Sequence, residues 1–300
     1  MALPTTIPTT YGPWFISLLL ELGLFGIGTF QTWCYYYCSL GDGIDIKIWV
    51  FIVMFFETLQ VAFFSMSSYV RFVERFGTVQ EDLLWSDSLQ LLANYLSAFV
   101  VQMYFASSVY YLTRQRHRLY NASTPVFIAI AMLSVISVGA GIAQTVVSYR
   151  LRSFAKLADT KVITTLQTAG SLGCNLAITL YLCFYFQKHK NELRPHRLIN
   201  MLMINAVVRG VPASVCSVLT MSLFLVAPGT FYFFLGLAPS SKIYMNSMLL
   251  TLNMREAMRS KVDSHMYNSN IGPISEIEFV PPPDSTTASD DITRDKAASR

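Results

Sequence analysis

Over 300 residues the chain is 53% hydrophobic and only 13% charged, with a mean hydropathy of +0.43, whereas soluble domains carry about 25% charged residues. The net charge of +4 is small and the Lys and Arg residues are scattered between apolar runs, so a nucleic-acid partner, which needs basic residues gathered on one face, is set aside. What remains is an all-α protein whose first partner is the lipid bilayer.

Seven apolar runs, about the 20 residues a helix needs to cross the hydrocarbon core, fall at 14–39, 48–70, 90–112, 125–148, 162–186, 198–227 and 230–253. Lipid satisfies no free backbone groups, so each run must be helical, and the short polar segments between them make neighbours antiparallel. Residues 1–13 contain two prolines before Pro13 and no Lys or Arg, which is unlike the basic start of a cleaved leader. They are expected outside the membrane, and the first run is expected to stay in the mature chain.

Lys and Arg placement sets the orientation. With the N-terminus outside, the cytoplasmic side holds Lys47, Arg114, Arg116, Arg118, Lys188, Lys190, Arg194, Arg197, Arg255, Arg259 and Lys261. The opposite side holds Arg71, Arg75, Arg150, Arg152, Lys156 and Lys161, eleven against six, so the positive-inside rule predicts N-terminus out and C-terminus in. The single N-x-S/T sequence, Asn121-Ala122-Ser123, then faces the cytosol and is expected to carry no glycan.

Past the seventh run, residues 254–268 suit an amphipathic helix along the inner leaflet, with Arg255, Arg259 and Lys261 near anionic headgroups. Residues 269–300 are polar, carry Pro281-Pro282-Pro283 and are expected to form a disordered cytoplasmic tail. The five cysteines, Cys34, Cys38, Cys174, Cys183 and Cys216, lie in apolar segments and read as packing residues rather than a disulfide framework.

Four ionisable residues stand within the runs: Glu21, Glu57, Arg209 and Lys242. A charge at membrane depth costs about 2.5–3.5 kcal/mol on insertion scales unless it faces the bundle interior. Lys242 is placed about 16 Å from either end of its run at 1.5 Å per residue, too deep to reach water. Asn246, Leu249 and Asn253 recur on its face, Pro239 precedes it, and Gln60 neighbours Glu57. Glu57 is the leading partner for Lys242 and Glu21 the next. These residues, with Gln60, Asn246 and Arg209, form the candidate intramembrane polar site. It reads equally as a packing network or as a cavity for a small ligand or ion.

Other chemistries lack their residues. The run LLANYLSAFVVQMYFASSVYYL has no carboxylate to serve as a retinal counter-ion, and the histidines, His117, His189, His196 and His265, fall in loops or the tail, away from any metal-ligand cluster. No G-x-S-x-G, Walker or H-E-x-x-H pattern occurs. No enzyme activity, metal or cofactor is expected.

The blocks HRLINMLMINAVVRGVPASVCSVLTMSLFL and APGTFYFFLGLAPSSKIYMNSMLLTLNMRE carry Leu198, Ile199, Asn200 and Leu202, then Lys242, Tyr244, Asn246, Ser247, Leu249, Leu252, Asn253 and Arg255. This pattern resembles the C-terminal half of a basidiomycete fungal multi-helix membrane protein family known only as domain of unknown function 6534. FETLQ at 56–60 and YYLTRQR are weaker landmarks, and Arg209 departs from the pattern. The resemblance implies a seven-spanning membrane protein and no established activity. An orphan receptor or sensor, in which Lys242 meets a ligand's acidic group or exchanges Glu57 for it, is the leading reading. A transporter or channel is the alternative, and a scaffold whose tail binds a cytoplasmic protein is the third. The plasma membrane is the expected location.

Overall fold

The structure, a computed structural model, describes residues 7–38, 42–77, 82–114, 120–151, 153, 160–188, 196–226 and 230–270. The chain divides into two units, 1–258 and 259–300. Among the described residues, seven helices follow one another: α1 (Ile7–Cys38), α2 (Ile44–Tyr69), α3 (Trp85–Arg114), α4 (Tyr120–Leu151), α5 (Lys161–Lys188), α6 (His196–Val226) and α7 (Phe234–Asn270). Residues 254–268, expected as a separate amphipathic segment, continue α7 without a break, and of the expected disordered tail 269–300 residues 269 and 270 end that helix while the rest lie outside the described ones.

Four stretches, Tyr11–Cys38, Ile44–Glu74, Trp85–Ser108 and Pro125–Leu151, are long and apolar enough to cross a membrane, and Gly210–Val226 is a shorter apolar helix. Large apolar side chains such as Phe30, Phe51, Val135 and Val215 face outward on them. Water would not tolerate that surface, and the chain is an integral membrane protein.

Hydrogen-bonded pairs give the packing direction. Ser67–Asp87, Gln60–Asn94 and Glu57–Ser97 run in opposite senses along α2 and α3, and so do Ser134–Cys174 and Ser137–Gln167 along α4 and α5. These neighbours are antiparallel, as short connections dictate. Helices α1 and α7 are parallel: Asn246 Nδ2 donates to the Leu24 carbonyl at 2.9 Å and Asn253 Nδ2 to the Gln31 carbonyl at 3.0 Å, seven residues further along each helix. Close approach is set by glycine. A Cβ on Gly28 would sit 2.0 Å from Met245 Cε, and one on Gly236 would sit 2.8 Å from the Cys216 carbonyl on α6.

The helices outrun the apolar stretches, with two consequences. Residues 7–13, expected as an extramembrane segment, form the first turns of α1, where Pro8 is tolerated and Tyr11 is buried with Trp14. At the other edge, α2 continues into a π-helical turn, Val70–Glu74, closed by Gly77 at φ +85°, while α3 starts at Trp85 and so includes Asp87. This turn carries Arg71 inward. The cation assigned to a loop from sequence is buried.

Two apolar clusters fill the interior. One gathers Tyr11, Trp14, Phe64, Leu91, Tyr95, Phe224, Phe231, Phe233, Phe234 and Leu237. The other includes Tyr35, Val50, Val53, Val101, Tyr104, Ile130, Met245, Met248, Leu249 and Leu252. All five cysteines are free, with Cys174 and Cys216 buried and Cys38 exposed.

Candidate functional site

Between the two clusters, α1, α2, α3 and α7 each turn polar at one level. Glu21 lies between Trp14 and Tyr35 on α1, Glu57 and Gln60 between Val53 and Phe64 on α2, Asn94 and Ser97 between Leu91 and Val101 on α3, and Ser241 and Lys242 between Leu237 and Met245 on α7. All of these polar residues are buried. Apolar side chains on either side exclude water, which strengthens each electrostatic contact and raises the cost of leaving any group unpaired.

The Lys242 ammonium is the centre of the layer. Its Nζ lies 2.6 Å from Glu57 Oε2, donates to Gln60 Oε1 at 2.6 Å and lies 3.2 Å from Glu21 Oε1. Lys242 and Glu57 are 0% exposed and Glu21 1%. Burial of this pair follows from depth. Helix α7 begins at Phe234, so Lys242 stands about 12 Å from that end at 1.5 Å per residue, not the 16 Å the longer apolar run implied. The aromatic cluster covers the difference.

The two carboxylates are treated differently. Glu57 is fully solvated by protein: Ser97 Oγ donates to Oε1 at 2.5 Å, and Ser241 Oγ lies 3.2 Å from Oε2 and 2.7 Å from Gln60 Oε1. Glu21 has only the ammonium. Its Oε1 is within ion-pair distance but out of line for a hydrogen bond, and its Oε2 has no partner among the described residues.

Pro239, one turn before Lys242, cannot donate a backbone hydrogen bond, and Ser240 Oγ donates to the Leu237 carbonyl at 2.6 Å nearby. Of the other residues singled out from sequence, Asn246 and Asn253 clamp α7 to α1, and Ser247 bonds back to the Tyr244 carbonyl at 2.8 Å. Tyr244 reaches α5, where its hydroxyl meets Ser171 at 3.3 Å and the Asn175 amide. Arg255 Nη2 lies 3.4 Å from Asp42 Oδ2, which also accepts from the Tyr35 hydroxyl at 3.3 Å. Thus the polar members of the KIYMNSMLLTLNMR block address α1, α2, α5 and the α1–α2 connection. Arg209 lies on α6, but its side chain is outside the described ones.

A second buried ion pair was not legible as such. Arg71 Nη1 and Nη2 clasp Asp87 Oδ1 and Oδ2 at 3.0 and 2.5 Å, Ser67 bridges the two, and the guanidinium stacks 4.4 Å from the Trp14 ring centre. Trp14 Nε1 donates to Ser68 Oγ at 2.8 Å, and Asp87 Oδ2 accepts the Leu84 amide at 2.8 Å. Arg71 and Asp87 stand sixteen residues apart across a connection, where a sequence shows only two loop charges. The available signal was the run of serines at 67 and 68 beside an Arg and an aromatic-rich helix start. With Asp87 in α3, that helix does contain a carboxylate, but Arg71 holds it and Lys242 has other partners.

The family model described as "Family of unknown function (DUF6534)" matches residues 171–257. No curated protein and no solved structure matches the chain. The matched segment supplies Lys242, Tyr244, Asn246, Asn253 and Arg255 together with Ser171 and Asn175, whereas Glu21, Glu57 and Asp42 come from outside it. The C-terminal part of the chain is therefore similar to that family of unknown function, and its lysine is completed by carboxylates from the N-terminal part.

Proposed function

We propose that the protein is a seven-spanning, N-terminus-out membrane receptor or sensor, resident in the plasma membrane, in which the Lys242 layer is the element that switches. One observation carries this reading: a single fully buried ammonium is shared unequally between carboxylates on two different helices, at 2.6 Å from Glu57 on α2 and 3.2 Å from Glu21 on α1. A ligand shifts a conformational equilibrium only by favouring one arrangement over another, and an ammonium with two alternative acids provides two arrangements. An acidic ligand on Lys242 is disfavoured by the same geometry, because it would add a third anion to a layer that already holds two carboxyl groups.

Spin labels at Tyr37 and Tyr111, exposed residues near the C-terminal ends of α1 and α3, test the switch. Glu57→Gln should move the ammonium onto Glu21 and shift the label separation, while Glu21→Gln should leave the wild-type separation. Identical distributions in all three proteins would reduce the layer to packing. A transporter reading draws on the same excess carboxyl and requires cation or solute flux into proteoliposomes that Lys242→Met abolishes.

A further inference from the structure

The α1–α7 contact follows the spacing of two parallel helices that meet along one face: Glu21, Leu24, Gly28, Gln31 and Tyr35 on α1 oppose Lys242, Asn246, Leu249 and Asn253 on α7. Along this seam the backbone carbonyls of Leu24 and Gln31 are satisfied by the two asparagine amides. The side-chain oxygens are not. Glu21 Oε2, Asn246 Oδ1 and Gln31 Oε1 are all buried and without a hydrogen-bond partner among the described residues. Every orphan on the seam is an acceptor, so what completes it must bring protons.

The charges facing Glu21 are Lys242 from α7 and Glu57 from α2; α3 contributes only the neutral Asn94 and Ser97 to the layer. One ammonium cannot neutralise two carboxylates, and an uncompensated buried carboxylate takes up a proton rather than remain charged. The donors decide which acid that is. Glu57 meets Lys242, Ser97 and Ser241, so both its oxygens have donors. Glu21, with one oxygen unpartnered, is the acid that keeps its proton. A metal cation in its place would need several oxygen ligands, and among the described residues no three His, Cys, Asp or Glu side chains gather to hold one.

We propose that the α1–α7 seam is a hydrated proton-binding site, in which Glu21 carries the proton and water between Asn246 and Gln31 links it to the end of the bundle where Tyr35, Asp42 and the half-exposed Arg255 meet. Release breaks the Glu21 O–H bond, passes the proton to seam water, and leaves a carboxylate that competes with Glu57 for Lys242. Gly28 brings α1 close enough for Met245 and Asn246 Oδ1 to sit against its backbone, so a side chain there would crowd the asparagine oxygen on the seam. This deepens the switch proposed above by naming its ligand, yet it is tested without any conformational readout.

Infrared spectroscopy of the purified full chain in lipid nanodiscs reads the carbonyl stretch of a protonated carboxylic acid directly. Wild type at neutral pH should show that band, shifting promptly on transfer to D2O and disappearing at high pH. Glu21→Gln should remove it while melting like wild type, since a neutral amide replaces a neutral acid; Glu57→Gln should remove it as well, because Glu21 is then the one carboxyl group facing the ammonium and gives up its proton. Gly28→Leu should slow the D2O shift at least tenfold. A wild-type spectrum without the band, a band that survives Glu21→Gln, or a Glu21→Gln protein that fails to fold would each overturn the proposal. A band with unchanged exchange in a folded Gly28→Leu protein would overturn the water path. The Tyr37–Tyr111 distances could still shift in either case, so the switch and the proton site fail separately.

Discussion

Lys242 shows why a residue's cost depends on its company. Replacing it by Met leaves Glu57 buried with its charge uncompensated, and breaking a buried pair this way costs about 3–5 kcal/mol. Removing the acid as well relieves the penalty. Lys242→Met should therefore lower the thermal unfolding midpoint in detergent, and Lys242→Met with Glu57→Leu should recover most of the loss. A double mutant no more stable than Lys242→Met would show that the two groups do not share their energy. Arg71 and Asp87 obey the same logic with better geometry, a two-pronged clasp over Trp14. Asp87→Asn should destabilise by about 3–5 kcal/mol, and Arg71→Lys should fail to rescue shape, because a lysine offers neither the planar fork nor the ring stacking.

At the level of elements, α7 is the helix the others are built on. Its polar residues leave in different directions, toward α1, α2 and α5, while Met245, Met248, Leu249 and Leu252 fill the core between them. The α1 contact is a repeated side-chain-to-carbonyl bond at one-heptad spacing. Bonds of this kind in membrane proteins average about 0.6 kcal/mol, so Asn246→Leu and Asn253→Leu should each cost about that much in unfolding measurements and the pair about twice. The α6–α7 contact is less forgiving. A Cβ on Gly236 meets backbone atoms, which cannot swing aside, at 2.8 Å, and Gly236→Ala should cost about 1–3 kcal/mol by forcing the helices apart.

For the whole molecule, orientation is the property most open to a direct check. The expected orientation, N-terminus out and C-terminus in, rests on the placement of Lys and Arg. Asn121, in the first turn of α4, should carry no glycan when the chain is expressed in a secretory-competent cell, as read by an unchanged electrophoretic mobility after glycosidase treatment. A shift would reverse the topology. Deleting residues 269–300 separates the scaffold reading from the others: partner capture that persists without them would remove the tail's assigned part, whereas a switch in the bundle should survive the deletion.

Periodicity and composition alone determined the helix count among the described residues, the helix centres and the membrane setting, because an apolar run of membrane length has one way to satisfy its backbone. They also ranked Glu57 as the first acid for Lys242, since both lie mid-helix. What they could not determine was which faces meet. That α1 lies parallel to α7, bringing a second carboxylate onto the same ammonium, depends on helices more than 200 residues apart in sequence. The Arg71–Asp87 clasp depends on a π-helical turn and on a helix start five residues before its apolar run, neither of which leaves a periodic trace. The sharing of one positive charge between two acids is a tertiary fact, and it changes the meaning of the layer from a neutral pair to a site with a proton to spare.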